Sequence, residues 1–533
     1  MRACPGSGKT RSVAARVAWM HEEQKKLALL SFTRVGADEI SRATLQDHGV
    51  TIGGASFVGT VQSFLQRYVL TPFAHLVTGA SVGVRIDPEQ VEALDPTGVR
   101  SSDFKLGIDG SLTPGVGKHL LSAQLMAEVK KAKLNAAKQG VVGLEDDVYW
   151  SHRVLSTYPT IRNAVATRFD EVIVDEAQDL NELQIACLRL LKKDGLESLV
   201  LVGDYDQTIY QWRGSNPSLC EQLAADVGLT PAPLTENYRS SQIICDLASG
   251  FRNDPVPDKA VGTFAHCPVP PMVVLYMPGE ESHLPAKLEN LVQRTNISAE
   301  SLAVLVRSQG TKQKVTGTTA PTVRGTAKTL LAIKQSRVGP SLTEYKEVEQ
   351  LLLRRAFGTS SMSSGLDWHV VRSTSISVID SLPALEGSLL NWAKAADAVL
   401  EAGARQLAPA VVPEQRQFSY PPEWAQVRIE QSPEAPKTSV RIDTVHSFKG
   451  ESIDAVMLVA GDPSPAQKRS GYGDSVSWSE HLGDPTTSQS EDVRVAYVAI
   501  TRARQLIVLA LPNDTDPRIL NKFLAAGFVL QSA

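Results

Sequence analysis

The sequence predicts an α/β protein of several domains. Short apolar runs alternate with helical stretches, one glycine-rich loop ends in Gly-Lys-Thr, and one apolar run closes on two adjacent carboxylates. Residues 27–32, 171–174 and 198–202 have the continuous apolar character of parallel strands covered on both faces. A helix is expected over 183–193, between the last two. A second α/β pattern follows at 271–276, 302–306, 440–459 and 506–511. A chain of 533 residues is long enough for several cores. Its composition, 42% hydrophobic and 21% charged, is that of a globular protein, and no apolar run is long enough to span a membrane. A net charge of −4 provides no global attraction to nucleic acid, although a local basic groove would escape that sum. Cys4, Cys187, Cys220, Cys245 and Cys267 are scattered, so neither a zinc site nor a disulfide framework is expected. A reducing, cytoplasmic setting is the expectation.

The glycine-rich loop is Cys4-Pro5-Gly6-Ser7-Gly8-Lys9-Thr10. Glycines let successive backbone N–H groups face one set of phosphate oxygens. Lys9 would reach the β- and γ-phosphates and Thr10 would hold Mg²⁺. A helix over 11–21 would add its N-terminal field. Taken alone, the segment fits ATP or GTP binding, or else a tight glycine turn. Such a loop normally follows a buried strand, and the three residues before it are too few to form one. Either the start lies upstream or another segment fills the gap.

The run 169–174 ends in Asp175-Glu176-Ala177-Gln178-Asp179, at the edge where open α/β sheets bind ligands. Asp175 can hold Mg²⁺, and Glu176 can orient and deprotonate an attacking water. An acidic helix cap is the alternative for this segment alone. After the next strand, Gln207 is placed to sense a γ-phosphate. Tyr210, Trp212 and Arg213 form an aromatic and basic cluster suited to stacking on bases, with a core position as the alternative for Trp212. The basic stretch 119–139, with Lys130, Lys131, Lys133 and Lys138, fits a solvated helix face or a nucleic-acid path. Residues 462–490 are polar and rich in Gly, Ser and Pro, and are expected to form an exposed loop.

From these motifs onward the chain resembles the UvrD/Rep/PcrA type of superfamily 1 DNA helicase. Cys4 to Thr10 looks like the first helicase motif, and Ser31 to Ile40 resembles the next, implying DNA contacts from Thr33 and Arg34. Gly59-Thr60-Val61-Gln62-Ser63-Phe64 resembles a further DNA-contact motif, with Gln62 in place of the usual histidine, and implies contacts from Thr60, Ser63 and Phe64. Leu234-Thr235-Glu236-Asn237-Tyr238-Arg239-Ser240 implies a γ-phosphate arginine, Arg239. Thr444 to Glu451 resembles a DNA-and-nucleotide motif that implies DNA roles for Thr444 and His446. The family's ribose glutamate falls at Ser452, and Glu451 is the expected substitute. Tyr497 to Arg504 resembles the last motif and implies a second γ-phosphate arginine, Arg502.

The resemblance implies two RecA-like P-loop NTPase motor domains with mainly helical inserted accessory domains. The first motor domain would take 1–64 and 169–235 around an insertion at 65–168. The second would take 236–308 and 437–533 around a short insertion at 309–436. It further implies catalytic roles for Lys9, Glu176, Gln207, Arg239 and Arg502. The nucleotide would be held by Pro5, Gly6, Ser7, Gly8, Lys9, Thr10, Arg239, Glu451 and Arg502, and the metal by Thr10 and Asp175. ATP and Mg²⁺ are the implied cofactors, with 3′-to-5′ movement on single-stranded DNA and at single-strand/duplex junctions, and no membrane. The alternatives are a non-unwinding ATPase that regulates a nuclease or repair complex, and an N-terminally truncated, inactive homologue.

Overall fold

The computed structural model describes all residues except 96, 98, 116–119, 209–216, 253–256, 318–322, 324, 336–341, 358–366, 409–419, 428–439, 461–490, 532 and 533. Two compact units divide the chain: Met1–Gly317 with Ser439–Ala533, and Thr318–Thr438. The expected loop at 462–490 lies outside the described residues. Among the described residues, no helix is long and apolar enough to cross a membrane.

The larger unit holds two parallel sheets. In the first, the strands Phe57–Thr60, Leu27–Ser31, Glu171–Val174 and Ser198–Leu201 lie side by side in that order. Leu27 to Leu30 are at most 2% exposed, as strands sandwiched between helices require. Glu171 is the exception, a carboxylate in a buried strand. Arg16 forks onto it at 3.0 and 2.7 Å and the Ser198 hydroxyl adds a third bond at 2.7 Å. A buried charge is tolerated only with such pairing.

The expectation that the residues before the loop cannot form a strand is corrected here. Arg2–Ala3 pairs in parallel with Pro233–Leu234. On its other side the Met1 amino group donates to Leu201 O at 2.6 Å, and Ala3 N donates to Gly203 O at 3.0 Å. Two residues suffice because both flanking segments offer backbone partners, so the stub continues the sheet.

The second sheet is six strands in the order Val440–Thr444, Leu302–Val306, Ile453–Val459, Ala503–Pro512, Met272–Tyr276 and Val529–Gln531, all parallel. The expected 440–459 run is thus two strands, separated by a 3₁₀ turn at Val445–Phe448.

The 65–168 segment contributes to the first hydrophobic core, with helices Ala123–Lys138, Asp147–Thr157 and Pro159–Ala166. Two small strand pairs accompany them, Arg85–Ile86 with Val141–Val142 and Phe104–Leu106 with Leu112–Pro114. The structure decides one lysine of the basic stretch. Lys133 is buried and bonds Glu145 and Asp146 at 2.5 and 2.6 Å, so it anchors the fold instead of lining a surface path. Lys131 and Lys138 are exposed.

Phe64, expected to contact DNA, is a core residue. It is 1% exposed, and its ring lies 5.6 Å from Phe57, 5.2 Å from Tyr68 and 5.6 Å from Phe169. Gln62, two residues before it, turns to Asp147 at 2.9 Å, and Gln66 bonds the same carboxylate oxygen.

The smaller unit is helical: Thr326–Gln335, Leu342–Phe357, Trp368–Asp380 and Leu389–Leu407. They bury Leu352, Val378, Trp392 and Leu400. A side chain at Gly403 would meet Val378 at 2.6 Å, so glycine sets the close approach of the last two helices.

Phe64→Ala should lower unfolding stability by about 3–5 kcal/mol, the cost of emptying an aromatic core site. Urea denaturation reads this, and a loss below about 1 kcal/mol would remove the ring from the core. Burial pushes the Asp147 carboxyl up to about 6, against the bonds from Gln66 and Gln62. Folding therefore favours its neutral form, and that stability is present below the ordinary value of 3.8 and lost as pH rises through about 6. Asp147→Asn should gain stability relative to the parent across that window, and a flat difference between pH 4 and about 6 would contradict it.

Candidate nucleotide and nucleic-acid site

The nucleotide side begins at the loop after Arg2–Ala3. Gly6 and Gly8 have φ of 75° and 77°, left-handed values that glycine adopts without strain. Gly8 precedes the helix Lys9–Glu22 and supplies no capping side chain, which leaves the first helical N–H groups to an anion. The Ser7 hydroxyl is buried and has no hydrogen-bond partner among the described residues. Against the loop lies the segment 236–240. Tyr238 N donates to Gly6 O at 2.9 Å, and a side chain on Gly6 would come within 2.5 Å of Arg239 Cβ. A cleft of about 810 Å³ opens here, lined among others by Gly6, Ser7, Gly8, Arg239, Ser452 and Arg504.

The carboxylates stand at the end of Glu171–Val174. Asp175 is 8% exposed. Glu176 has φ 51° and ψ 39°, a left-handed conformation that costs a non-glycine residue of order 1–3 kcal/mol and marks functional sites. Gln178 fixes it in place: its Nε2 donates to Glu176 Oε2 at 2.5 Å while its Oε1 accepts from Asp204 N at 3.2 Å. Two lysines flank the carboxylate. Lys9 Nζ is 3.8 Å away, and Lys449 Nζ, from the loop before Ile453–Val459, is 3.4 Å away and also bonds Asp179.

Burial lifts Asp175 to about 7, reinforced by the neighbouring charge of Glu176 and opposed by Lys9. Burial also acts upward on Glu176, but Lys9, Lys449 and Gln178 together outweigh it and hold the carboxyl at about 2. Asp179 is pushed up to about 6 by burial despite Lys449.

Gln207 joins the two sheets. Its Nε2 donates to Asp204 Oδ2 at 2.9 Å and its Oε1 accepts from Arg502 Nη2 at 3.1 Å. Arg502 is 1% exposed, with further bonds to Val498 O and Glu451 O. Arg239 Nη1 donates to Thr501 O at 2.9 Å. Burial, then Arg502 and Arg504, bring the Arg239 guanidinium down to about 9.

Known proteins resemble part of this chain. Residues 111–228 match the UvrD/REP helicase N-terminal domain. The chain is 27% identical over 267 residues to DNA helicase II of Escherichia coli, covering 46% of this chain and 37% of that one. It is 27% identical over 368 residues to the ATP-dependent DNA helicase UvrD1 of Mycobacterium leprae, covering 60% and 46%. With an ATP-dependent helicase/nuclease polypeptide of Natranaerobius thermophilus it shares 34% over 130 residues, 22% of this chain and 9% of that protein. These matches support assigning the chain to the UvrD/Rep-type superfamily 1 helicase family. The matched segments span less than half the length of each of these relatives.

In this UvrD/Rep-type chain the structure brings Lys9, Glu176 and Lys449 together, and Gln207 with Arg502. Glu451 is corrected: its carboxylate is held by Arg441 at 2.5 and 3.1 Å, and Ser452 is the residue that lines the cleft. The expected DNA residues are spread over several strand ends. Thr33 caps the helix Arg34–His48, with Gly36 N donating to its hydroxyl at 3.1 Å, and both Thr33 and Arg34 are exposed. Thr60 and Ser63 form a reciprocal cap at the start of the next helix. The Thr444 and Ser447 hydroxyls bond each other at 3.0 Å, and His446 is half-buried. Tyr210, Trp212 and Arg213 lie outside the described residues.

Sequence reasoning passed over Lys449, Gln178 and Asp204. Lys449 and Gln178 sit inside the helicase-like motifs, and a lysine beside a buried carboxylate pair is the kind of partner such acids require.

Gly6→Ala would force an L residue to φ 75° and drive its Cβ toward Arg239. We expect a stability loss of about 1–3 kcal/mol. Hydrogen exchange should also show lost protection at the Tyr238 amide, which donates to Gly6 O. Unchanged protection would mean that the loop and the 236–240 segment do not depend on this approach.

Proposed function

We propose that this chain is an ATP-dependent motor that moves 3′ to 5′ on single-stranded DNA and opens duplex at single-strand/duplex junctions. The two sheets would be RecA-like motor halves, with 65–168 and 309–436 as accessory insertions. One observation carries the reading. Glu176, the residue placed to activate water, lies between the loop lysine of the first sheet and Lys449 of the second.

The residues have distinct tasks. The backbone of Gly6 to Gly8 and the ammonium of Lys9 hold the β- and γ-phosphates. Mg²⁺ in such sites takes one or two carboxylates together with phosphates and water. Asp175 and Thr10 would hold it, and when bound it neutralises charge on the transferring phosphoryl group.

Glu176 orients the water and takes its proton. A carboxyl held near 2 is a poor base. Once Lys9 turns to a phosphate, Glu176 loses the first of its lysines and gains basicity. The substrate thus switches on its own base. Arg239 and Arg502 stabilise the charge that spreads in the transition state. Gln207 links Arg502 to Asp204 on the first sheet, so the two halves share that event.

A second reading, a non-unwinding ATPase that serves a nuclease or repair complex, draws on the 34% identity to a helicase/nuclease polypeptide. ATP hydrolysis with and without single-stranded DNA tests the motor. DNA should stimulate turnover, Lys9→Ala should abolish it, and Glu176→Gln should bind ATP but lose about 10²–10⁴-fold in kcat. Turnover that is blind to DNA and unchanged in Lys9→Ala would overturn the motor. Stimulated turnover without displacement of a strand from a 3′-tailed duplex would select the second reading.

A further inference from the structure

The last helicase-like motif contains a second arginine that the assigned roles leave unused. Arg504 lines the same cleft as Gly6, Ser7 and Gly8. Its side chain is 37% exposed, so it is open to a ligand in the cleft.

Its placement is built. Ile453 pairs with Ala503, but Ala455 pairs with Leu506, so one residue of the first strand faces two of the second. That irregularity falls at Asp454 opposite Arg504 and Gln505. An extra residue in a strand re-aims a side chain, and such bulges are over-represented beside active sites. Asp454 then tethers the re-aimed group, accepting from Arg504 Nη1 at 3.1 Å. Asp454 is itself fixed by Ser301 Oγ at 2.8 Å, Ser301 N at 3.0 Å and Glu300 N at 3.1 Å. The Arg504 backbone is also held, since Ser241 N donates to its carbonyl at 3.0 Å.

Like charges are crowded beside this cleft, with Glu236 in its lining and Asp454 on Arg504 as the carboxylates that answer them. Arg504 and Arg502 both act on Arg239, three guanidinium groups crowded at one end of a phosphate loop. The described partners of Arg239 and Arg502 are neutral: backbone carbonyls, a hydroxyl and the Gln207 amide. Crowded like charges are relieved by a bound polyanion.

We infer that Arg504 is a third arginine contact to the phosphates of the nucleotide, aimed by the bulge and held by Asp454. This rests on the proposal that the cleft binds ATP. Asp454 is a positioning residue, acting only through Arg504.

The test is the affinity of the full chain for a fluorescent ATP analogue, with thermal unfolding recorded for each variant. Arg504→Gln should raise Kd about tenfold, the loss of one charge-assisted contact. Asp454→Asn should raise it about threefold in the parent and not at all in the Arg504→Gln background, because the pair acts as one unit. Arg504→Lys keeps the charge and the Asp454 partner but not the fork, and covers the case in which Arg504→Gln fails to fold. It should fall between parent and Arg504→Gln. A folded Arg504→Gln or Arg504→Lys with parental Kd overturns the inference, as does an Asp454→Asn effect that persists without Arg504. A parent chain that binds no ATP analogue fails the underlying reading instead.

Discussion

The structure turns on one enclosed carboxylate. Glu176 sits at a strand end in a left-handed backbone conformation, half-buried and flanked by two lysines. Burying a charge costs several kcal/mol unless partners answer it. Here the answers come from different places in the chain. Lys9 belongs to the loop of the first sheet, Lys449 to a loop of the second, and Gln178 ties the carboxylate back to Asp204. Both halves contribute to keeping this acid ionised. The same contact that stabilises the charge therefore joins the two halves of the larger unit.

The joint is reinforced by close backbone approach. Gly6 lets the phosphate loop lie directly on the 236–240 segment, and Tyr238 N closes that contact. Beneath it, the stub Arg2–Ala3 is stitched between Gly203 and Pro233–Leu234. A second seam runs from Asp204 through Gln207 to Arg502, and Tyr497 reaches the same Asp204 at 3.4 Å. The second seam pairs the end of Ser198–Leu201 in the first sheet with Arg502, which directly precedes Ala503–Pro512 in the second. A change in what Lys9 or Arg502 holds is thus felt by both sheets.

Much of this was legible in the sequence, and for physical reasons. Leu27–Ser31 and Leu302–Val306 read as strands because a parallel strand buried on both faces leaves no room for polar alternation. Glu182–Lys193 read as a helix between strands, one residue longer than expected. Other features depended on tertiary context. Phe64 follows two capping residues in a surface-like motif, yet the aromatic cluster with Phe57, Tyr68 and Phe169 claims it, and residue 169 is far away in the chain. Lys133 looked like one of four equivalent lysines, because nothing local reveals that Glu145 and Asp146 fold back onto it. Glu451 has the right chemistry one position early, but its carboxylate pairs with Arg441 and Ser452 lines the cleft.

The net charge of −4 hides the electrostatic design. The first sheet brings acids to the cleft edge, Asp175, Glu176 and Asp179, and a single loop lysine. Across from them stand cations of the other half: Lys449, Arg239, Arg502 and Arg504. Lys449 is satisfied by the acids, bonding Asp179 and lying beside Glu176. Arg239 and Arg502 are answered only by neutral acceptors among their described bonds. Burial alone disfavours a charged guanidinium, and neutral acceptors offset that penalty only in part. Arg239 and Arg504 lie beside a glycine loop whose helix N-terminus favours anions. A polyphosphate would complete the set: its terminal oxygens draw Lys9 from Glu176 while its charge compensates the arginines. On the proposed reading, such a ligand would supply negative charge on one side and release Glu176 from Lys9 on the other, which would couple binding to activation.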